Sequence, residues 1–94
     1  MQYLSIKNWG EYQHYKHRNP PWIKLYYNLL DDYEYGNLDD RSKLLLISLF
    51  LLAGKTNNKI PYDIEWIQAK AMIKDEVNIA NLLETGFLHV NGDK

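Results

Sequence analysis

The stretch that most constrains this chain runs from Leu44 to Ala53, where Ser48 is the only polar side chain. A helix formed by this run would be apolar around its whole circumference, which predicts a buried central helix. The run is too short to cross a bilayer, which needs roughly 20 apolar residues. Asp39 or Asp40 is suited to cap the start of this helix, and Gly54 to end it. We therefore expect every other element to cover it.

Length and composition are those of one small domain. The 94 residues are 46% hydrophobic, so residues 1–94 can bury a modest core as a single domain. No cysteine is present, which excludes disulfides and thiolate metal sites. The chain does not open with a secretory leader, so we expect a cytoplasmic protein. The net charge of -1 gives no general attraction to nucleic acid, and DNA binding would need a local basic patch.

Three segments precede the central helix. Apolar and polar residues alternate from Gln2 to Lys7, which predicts a half-buried strand. Residues 9–18 show neither helical nor strand period, and we expect an ordered, irregular segment. Pro21 is suited to the first turn of a helix, and apolar residues follow at i, i+3, i+4 and i+7 spacing from Trp22. This pattern predicts an amphipathic helix that runs to about Tyr35 and stops at Gly36.

Two further helices are predicted after the central one. Ile60, a lone apolar residue before Pro61, suffices for a very short strand. Asp63 has the position of an N-cap, which predicts a helix over Ile64–Met72. Asp75 is expected to cap a last helix over Glu76–Thr85.

The end of the chain has the pattern of the first strand of a β-hairpin. Gly86 is suited to stop the last helix, and Phe87 to Val90 reads as a strand. Asn91-Gly92 is a strong hairpin signal, but only Asp93 and Lys94 follow it. We therefore expect the first domain of a longer protein, truncated after the first wing strand.

The order of elements predicts a mainly α fold with a small β component, arranged as a winged helix-turn-helix. Glu76–Thr85 would then be the recognition helix. Asp75, Glu76 and Glu84 surround it, and their carboxylates would repel phosphate. The residues near this helix that could approach phosphates or bases are Lys70, Lys74, Asn78 and Asn81. The alternative is a winged helix used for protein contact or dimerisation.

Aromatic and basic residues interleave between Tyr12 and Trp22. Such a cluster can stack bases while it neutralises phosphates. The candidate nucleic-acid-binding residues here are Lys16, His17, Arg18 and Lys24. The alternative is that the aromatic rings pack as a lid over the helices, with the cations merely solvated.

Sequence signals for catalysis or metal binding are poor. Gly54-Lys55-Thr56 matches the end of a phosphate-binding loop, but Leu49 occupies the position of its first glycine. His14 and His17 have no carboxylate or cysteine ligand nearby. No serine lies in a nucleophile elbow, and the aspartate pairs are placed to cap helices. We expect no enzyme activity, no metal and no cofactor.

The string from Tyr12 to Tyr26, whose most specific part is Asn-Pro-Pro-Trp-Ile-Lys-Leu-Tyr, resembles phage or prophage replication proteins of the replisome-organiser type. The similarity continues through Ile60 to Asp63 and through Gly86 to Leu88. It implies an N-terminal winged-helix domain in the cytoplasm of a bacterial host. It also implies that the partners are origin DNA and replication proteins such as a helicase loader, with homo-oligomers possible and no membrane. A protein-interaction module without DNA contact is the alternative function.

Overall fold

The structure, a computed structural model, describes residues 1–13 and 20–92. Within these ranges the elements in chain order are β1 (Gln2–Ile6), α1 (Trp9–Tyr12), a 3-10 helix (Tyr27–Asp31), α2 (Tyr33–Gly36), α3 (Asp40–Thr56), β2 (Ile60–Pro61), α4 (Ile64–Ala71), α5 (Ala80–Glu84) and β3 (Leu88–Gly92). The chain is thus a small α+β fold, as the sequence predicts.

The sheet is antiparallel, with strand order β2-β1-β3. The N-terminal strand is therefore central, and Leu4 pairs with Ile60 on one side and with Val90 on the other. Leu4 and Ile6 are buried while Tyr3 is only partly covered, so the predicted alternation is confirmed.

The central helix α3 is longer than predicted. Asp39 caps its start, where the Oδ1 atom accepts a hydrogen bond from the Ser42 N–H at 3.3 Å. The prediction that Gly54 ends the helix is wrong, because α3 continues to Thr56 and ends where Asn57 takes a left-handed φ of 54°. A side chain at position 54 would begin only 2.5 Å from the Cγ2 atom of Ile23. Gly54 therefore provides a slot for Ile23 rather than a stop.

Burial along α3 is one-sided. Leu45, Leu46, Leu49, Leu52 and Ala53 are buried against residues of the sheet and of the later helices. The prediction that this helix is buried around its whole circumference is wrong in part, since Ile47 and Phe50 are only half-buried. Leu44 and Leu51 are more than half exposed, so the helix is not enclosed on all sides.

The predicted helix from Pro21 to Tyr35 is wrong. Residues 20–26 are not helical, and the chain then forms only the 3-10 helix and α2. The Gln13 side chain binds both backbone groups of Lys24, which are no longer available for helical hydrogen bonds. Asp32 starts α2 separately, because its Oδ1 atom accepts a hydrogen bond from the Tyr35 N–H at 2.9 Å. In the segment predicted to be irregular, α1 is helical, and residues 14–18 lie outside the described ranges.

Helix α4 agrees with the prediction, whereas the helix after it does not. The Asp63 Oδ1 atom accepts a hydrogen bond from the Trp66 N–H at 3.2 Å, so the predicted cap is confirmed. The helix predicted over Glu76–Thr85 is formed only as α5, Ala80–Glu84. The Gln68 amide, seven residues earlier, donates to the Asp75 carbonyl at 3.0 Å, and this carbonyl would otherwise accept the first hydrogen bond of the predicted helix. Val77 is then buried in a non-helical segment.

The last strand extends beyond its predicted end. Gly86 has a φ of +83° directly after the end of α5, as expected of a helix stop. The hairpin turn predicted at Asn91-Gly92 is not formed by these residues, which belong to β3. Asn91 pairs with Tyr3 and Gly92 with Gln2. No helix in the described part of the chain has both the length and the apolar character needed to cross a membrane.

Candidate nucleic-acid interface

Of the predicted aromatic-basic cluster, the structure describes the two ends. Lys16, His17 and Arg18 lie outside the described residues. At the far end, the Lys24 N–H donates to Gln13 Oε1 at 2.9 Å, and Gln13 Nε2 donates to the Lys24 carbonyl at 2.8 Å. These two bonds join residues eleven positions apart. The non-helical chain at Lys24 is therefore held against α1.

Two tyrosines reinforce this junction. The rings of Tyr12 and Tyr26 meet edge to face, with centroids 5.2 Å apart and an interplanar angle of 65°. The Tyr26 hydroxyl also donates to the Tyr12 carbonyl at 3.4 Å. Both rings are about two fifths exposed, and Trp22 is slightly more than half exposed. We name Tyr12, Trp22, Lys24 and Tyr26 the aromatic face. It presents ring surface to solvent, and the Tyr12 and Tyr26 rings are held against each other, which suits base stacking.

A groove of about 480 Å³ lies beside the aromatic face. Its lining includes Lys7 and Lys24, and also the carboxylates of Asp31, Asp32 and Glu34. Phosphate is attracted by the two lysines and repelled by the carboxylates. The groove therefore carries both signs of charge, and its three acidic residues oppose the attraction of its two lysines.

The predicted recognition region does not form a helix that could enter a groove of DNA. Lys70 is exposed in the last turn of α4. Lys74 and Asn78 precede α5, and the Asn78 Oδ1 atom is engaged by the Ala80 N–H at 2.9 Å. Asn81 is exposed on α5, which has only five residues. These four residues are thus spread over a helix end, a non-helical segment and a single short turn of helix.

The surroundings of that region are acidic. A cavity of about 270 Å³ is bordered by Asp39, Asp75 and Glu76, and among the described residues Arg41 is the one cation that lines it. Arg41 pairs with Asp75 at 3.7 Å, and both side chains are largely exposed, so the pair stabilises little. Hydrogen bonding to Ser42 lowers the pKa of Asp39 and keeps its carboxylate charged. This cavity would repel phosphate.

Two residues of the candidate interface, Lys7 and Gln13, were not predicted from the sequence. Lys7 sits at the end of β1, where its N–H donates to the Phe87 carbonyl at 3.1 Å, and its side chain lines the larger groove. The alternation along β1 predicts that Lys7 faces outward, and this pattern could have identified it as a candidate. Gln13 had no such signal, because its partner lies eleven residues along the chain.

In the described part of the chain, no group of three or more histidine, aspartate or glutamate side chains is placed to hold a metal ion. In comparisons with known proteins, no family model, curated protein or solved structure matches this chain.

Proposed function

We propose that this chain is the DNA-binding and assembly domain of a replication-initiation protein of the phage replisome-organiser type. The observation that carries the proposal is the aromatic face, where the rings of Tyr12 and Tyr26 are in contact and partly exposed, and Lys24 lines the same groove as both. Stacking of bases on such rings stabilises the complex with a single strand by about 1–3 kcal/mol per base, whatever the sequence of the strand. The domain would act as a binding module, not an enzyme, in the cytoplasm of a bacterial host.

Charge along the sequence supports this location. Residues 1–30 carry Lys7, Lys16, Arg18 and Lys24 against the single carboxylate of Glu11, although the whole chain has a net charge of -1. Phosphate contacts dominate the affinity of most DNA-binding proteins. The N-terminal third is therefore where the chain can neutralise a phosphate backbone.

A winged-helix relationship is part of the same proposal. The order α3, β2, α4, α5, β3 follows the order of helices and strands in that architecture. The brevity of α5 supports a mode of DNA contact that does not depend on a recognition helix. Lys70, Lys74, Asn78 and Asn81 would then make secondary contacts at most.

The test is fluorescence anisotropy with a labelled single-stranded oligonucleotide and with its duplex, each at two salt concentrations. Lys16→Glu with Arg18→Glu is expected to abolish measurable binding, because two phosphate contacts become repulsive. The salt slope should fall by roughly one for each lost contact. The matched control, Lys70→Glu with Lys74→Glu, changes the net charge equally and should weaken binding much less.

A second variant separates stacking from charge. Tyr26→Leu keeps an apolar side chain but removes the ring, and it should weaken single-strand binding by about fivefold or more. The opposite ranking of the two charge reversals would restore the recognition-helix mode. If neither form of DNA binds even at low salt, the protein-interaction alternative becomes the better account.

A further inference from the structure

The larger groove combines an apolar inner part with polar margins. Trp9, Phe50 and Phe87 line it, and these three side chains are partly buried against the hydrophobic core. Small-molecule sites in proteins have this character, mostly apolar surface with a few polar groups, and volumes of about 300–1,000 Å³. At about 480 Å³ the groove is large enough to receive one planar ring system.

Asn28 and Asp31 supply polar groups on one side of the groove. Both belong to the 3-10 helix, in which residues three apart lie on the same side, and both line the groove. The turn that carries them is fixed by the Leu29 N–H, which donates to the Tyr26 carbonyl at 3.1 Å. Among the described residues, neither side chain has a hydrogen-bond or ion-pair partner. An amide and a carboxylate on the same side of one turn are therefore available to a ligand.

Phosphate does not account for the acidic residues of the groove, because a carboxylate repels it. Asp32 has a structural role, since its Oδ1 atom accepts a hydrogen bond from the Tyr35 N–H at 2.9 Å as the cap of α2. Asp31 has no such role, and its exposed carboxylate can only accept hydrogen bonds. A ligand that fits this side of the groove therefore presents N–H donors.

Unpaired bases differ in what they offer to such a carboxylate. Cytosine and adenine carry an exocyclic amino group, which donates hydrogen bonds, whereas thymine presents its O4 carbonyl instead. In cytosine and adenine the ring nitrogen beside the amino group is an acceptor, which suits the amide N–H of Asn28. The carboxylate of Asp31 would repel the thymine O4. The pair of amide and carboxylate thus matches two of these bases and opposes the third.

We propose that the groove receives one unpaired base of a bound single strand and selects cytosine and adenine over thymine. The Asp31 carboxylate accepts a hydrogen bond from the exocyclic amino group, and the Asn28 amide donates one to the neighbouring ring nitrogen. The aromatic side chains of the groove pack on the base, while Lys7 and Lys24 neutralise the phosphates of the nucleotide. This inference rests on the proposed DNA-binding function and adds a preference among bases, which stacking alone does not provide.

The test compares oligo-dC with oligo-dT of equal length in the anisotropy assay. Both strands carry the same phosphate charge and both can stack, so a difference in Kd reports on the base. We expect oligo-dC to bind about fivefold or more tightly than oligo-dT, since one well-placed base contact discriminates by that much. Equal affinities would overturn the inference and leave the proposed function intact.

Substitution of Asp31 locates the preference. Asp31→Asn removes the negative charge and supplies a donor, so it should strengthen oligo-dT binding and reduce the preference for oligo-dC to about twofold or less. Asp40→Asn is the matched control, because Asp40 is exposed on α3 and does not line the groove. It makes the same chemical change and should leave the preference unchanged. If Asp31→Asn strengthens both strands by the same factor, the carboxylate acts only on phosphate and the inference is wrong.

Nucleosides separate the inference from the proposed function, because they have no phosphate. Deoxycytidine and deoxyadenosine, added to about 20 mM to the isotopically labelled full chain, should shift the amide signals of the 3-10 helix, whereas thymidine should not. If no oligonucleotide binds but these shifts occur, the proposed function fails and the base site stands. Equal shifts from thymidine would show a site without selection. If none of the three nucleosides shifts these signals and neither strand is preferred, the inference fails.

Discussion

The burial pattern of α3 allows a matched test of its orientation, because two leucines of one helix lie in opposite environments. Leu49 is fully buried, whereas Leu44 is 58% exposed. Truncating a buried leucine removes its transfer free energy and leaves a cavity, so Leu49→Ala should cost about 2–5 kcal/mol. Leu44→Ala makes the same chemical change with little lost burial and should cost less than about 1 kcal/mol.

The loss at Leu49 is large for a chain of this size. A domain of 94 residues is stabilised by about 5–15 kcal/mol in total. Each kcal/mol shifts the Tm of such a domain by about 4–8 °C, so Leu49→Ala should lower Tm by at least about 8 °C. Urea unfolding followed by circular dichroism measures both variants, with an unchanged m-value as the check on two-state behaviour. Equal costs for the two substitutions, within about 0.5 kcal/mol, would refute the assigned orientation of α3.

Three further predictions concern local features. Gln13→Ala removes both the donor to the Lys24 carbonyl and the acceptor of the Lys24 N–H, so it should cost about 1–3 kcal/mol in urea unfolding and abolish exchange protection of the Lys24 amide. The lowered pKa of Asp39 means that its carboxylate contributes stability above the unfolded pKa, which is lost as pH falls through the folded pKa. Asp39→Asn should therefore be less stable than the parent chain at pH 7, and urea unfolding in acid should show this difference shrink. Gly54→Ala should destabilise the fold because the new side chain would displace a packed one, whereas Gly10→Ala, with open space around it, should gain about 0.5–1 kcal/mol in the same melts.

Local patterns in the sequence predicted those elements whose causes are local. The strand at Gln2–Ile6 follows from alternation over neighbouring residues, and the start of α4 follows from the Asp63 cap. The α+β class follows from these elements together.

The failures have distant causes. The stripe from Trp22 has helical spacing, but a side chain at Gln13 takes the backbone groups that a helix would need. Glycine is a common helix-ending residue, but at Gly54 the missing side chain leaves room for Ile23, which lies far earlier in the chain. Periodicity contains no information on either pairing.

The candidate site was predictable by composition rather than by geometry. Interleaved aromatic and basic residues identified the Tyr12–Trp22 region, but not the edge-to-face contact between Tyr12 and Tyr26. Lys7 lines the groove because pairing of β1 brings it near residues that are distant in the sequence, and local sequence patterns do not predict such proximity.

The packing of Ile23 at Gly54 also affects how often residues 20–31 detach from the rest of the fold. None of the residues 20–31 is buried, and the contacts that hold this segment include Ile23 at α3 and, at α1, the Gln13 bonds and the Tyr12–Tyr26 ring contact. Releasing one isoleucine, two hydrogen bonds and one aromatic pair costs about 3–6 kcal/mol, less than most global unfolding free energies. The segment should therefore detach in roughly one molecule in a hundred to one in ten thousand, and the Lys24 amide should exchange through this opening while α3 stays protected. A ligand that bridges the segment and α1 would slow that exchange, whereas a ligand held by the segment alone would leave its rate unchanged.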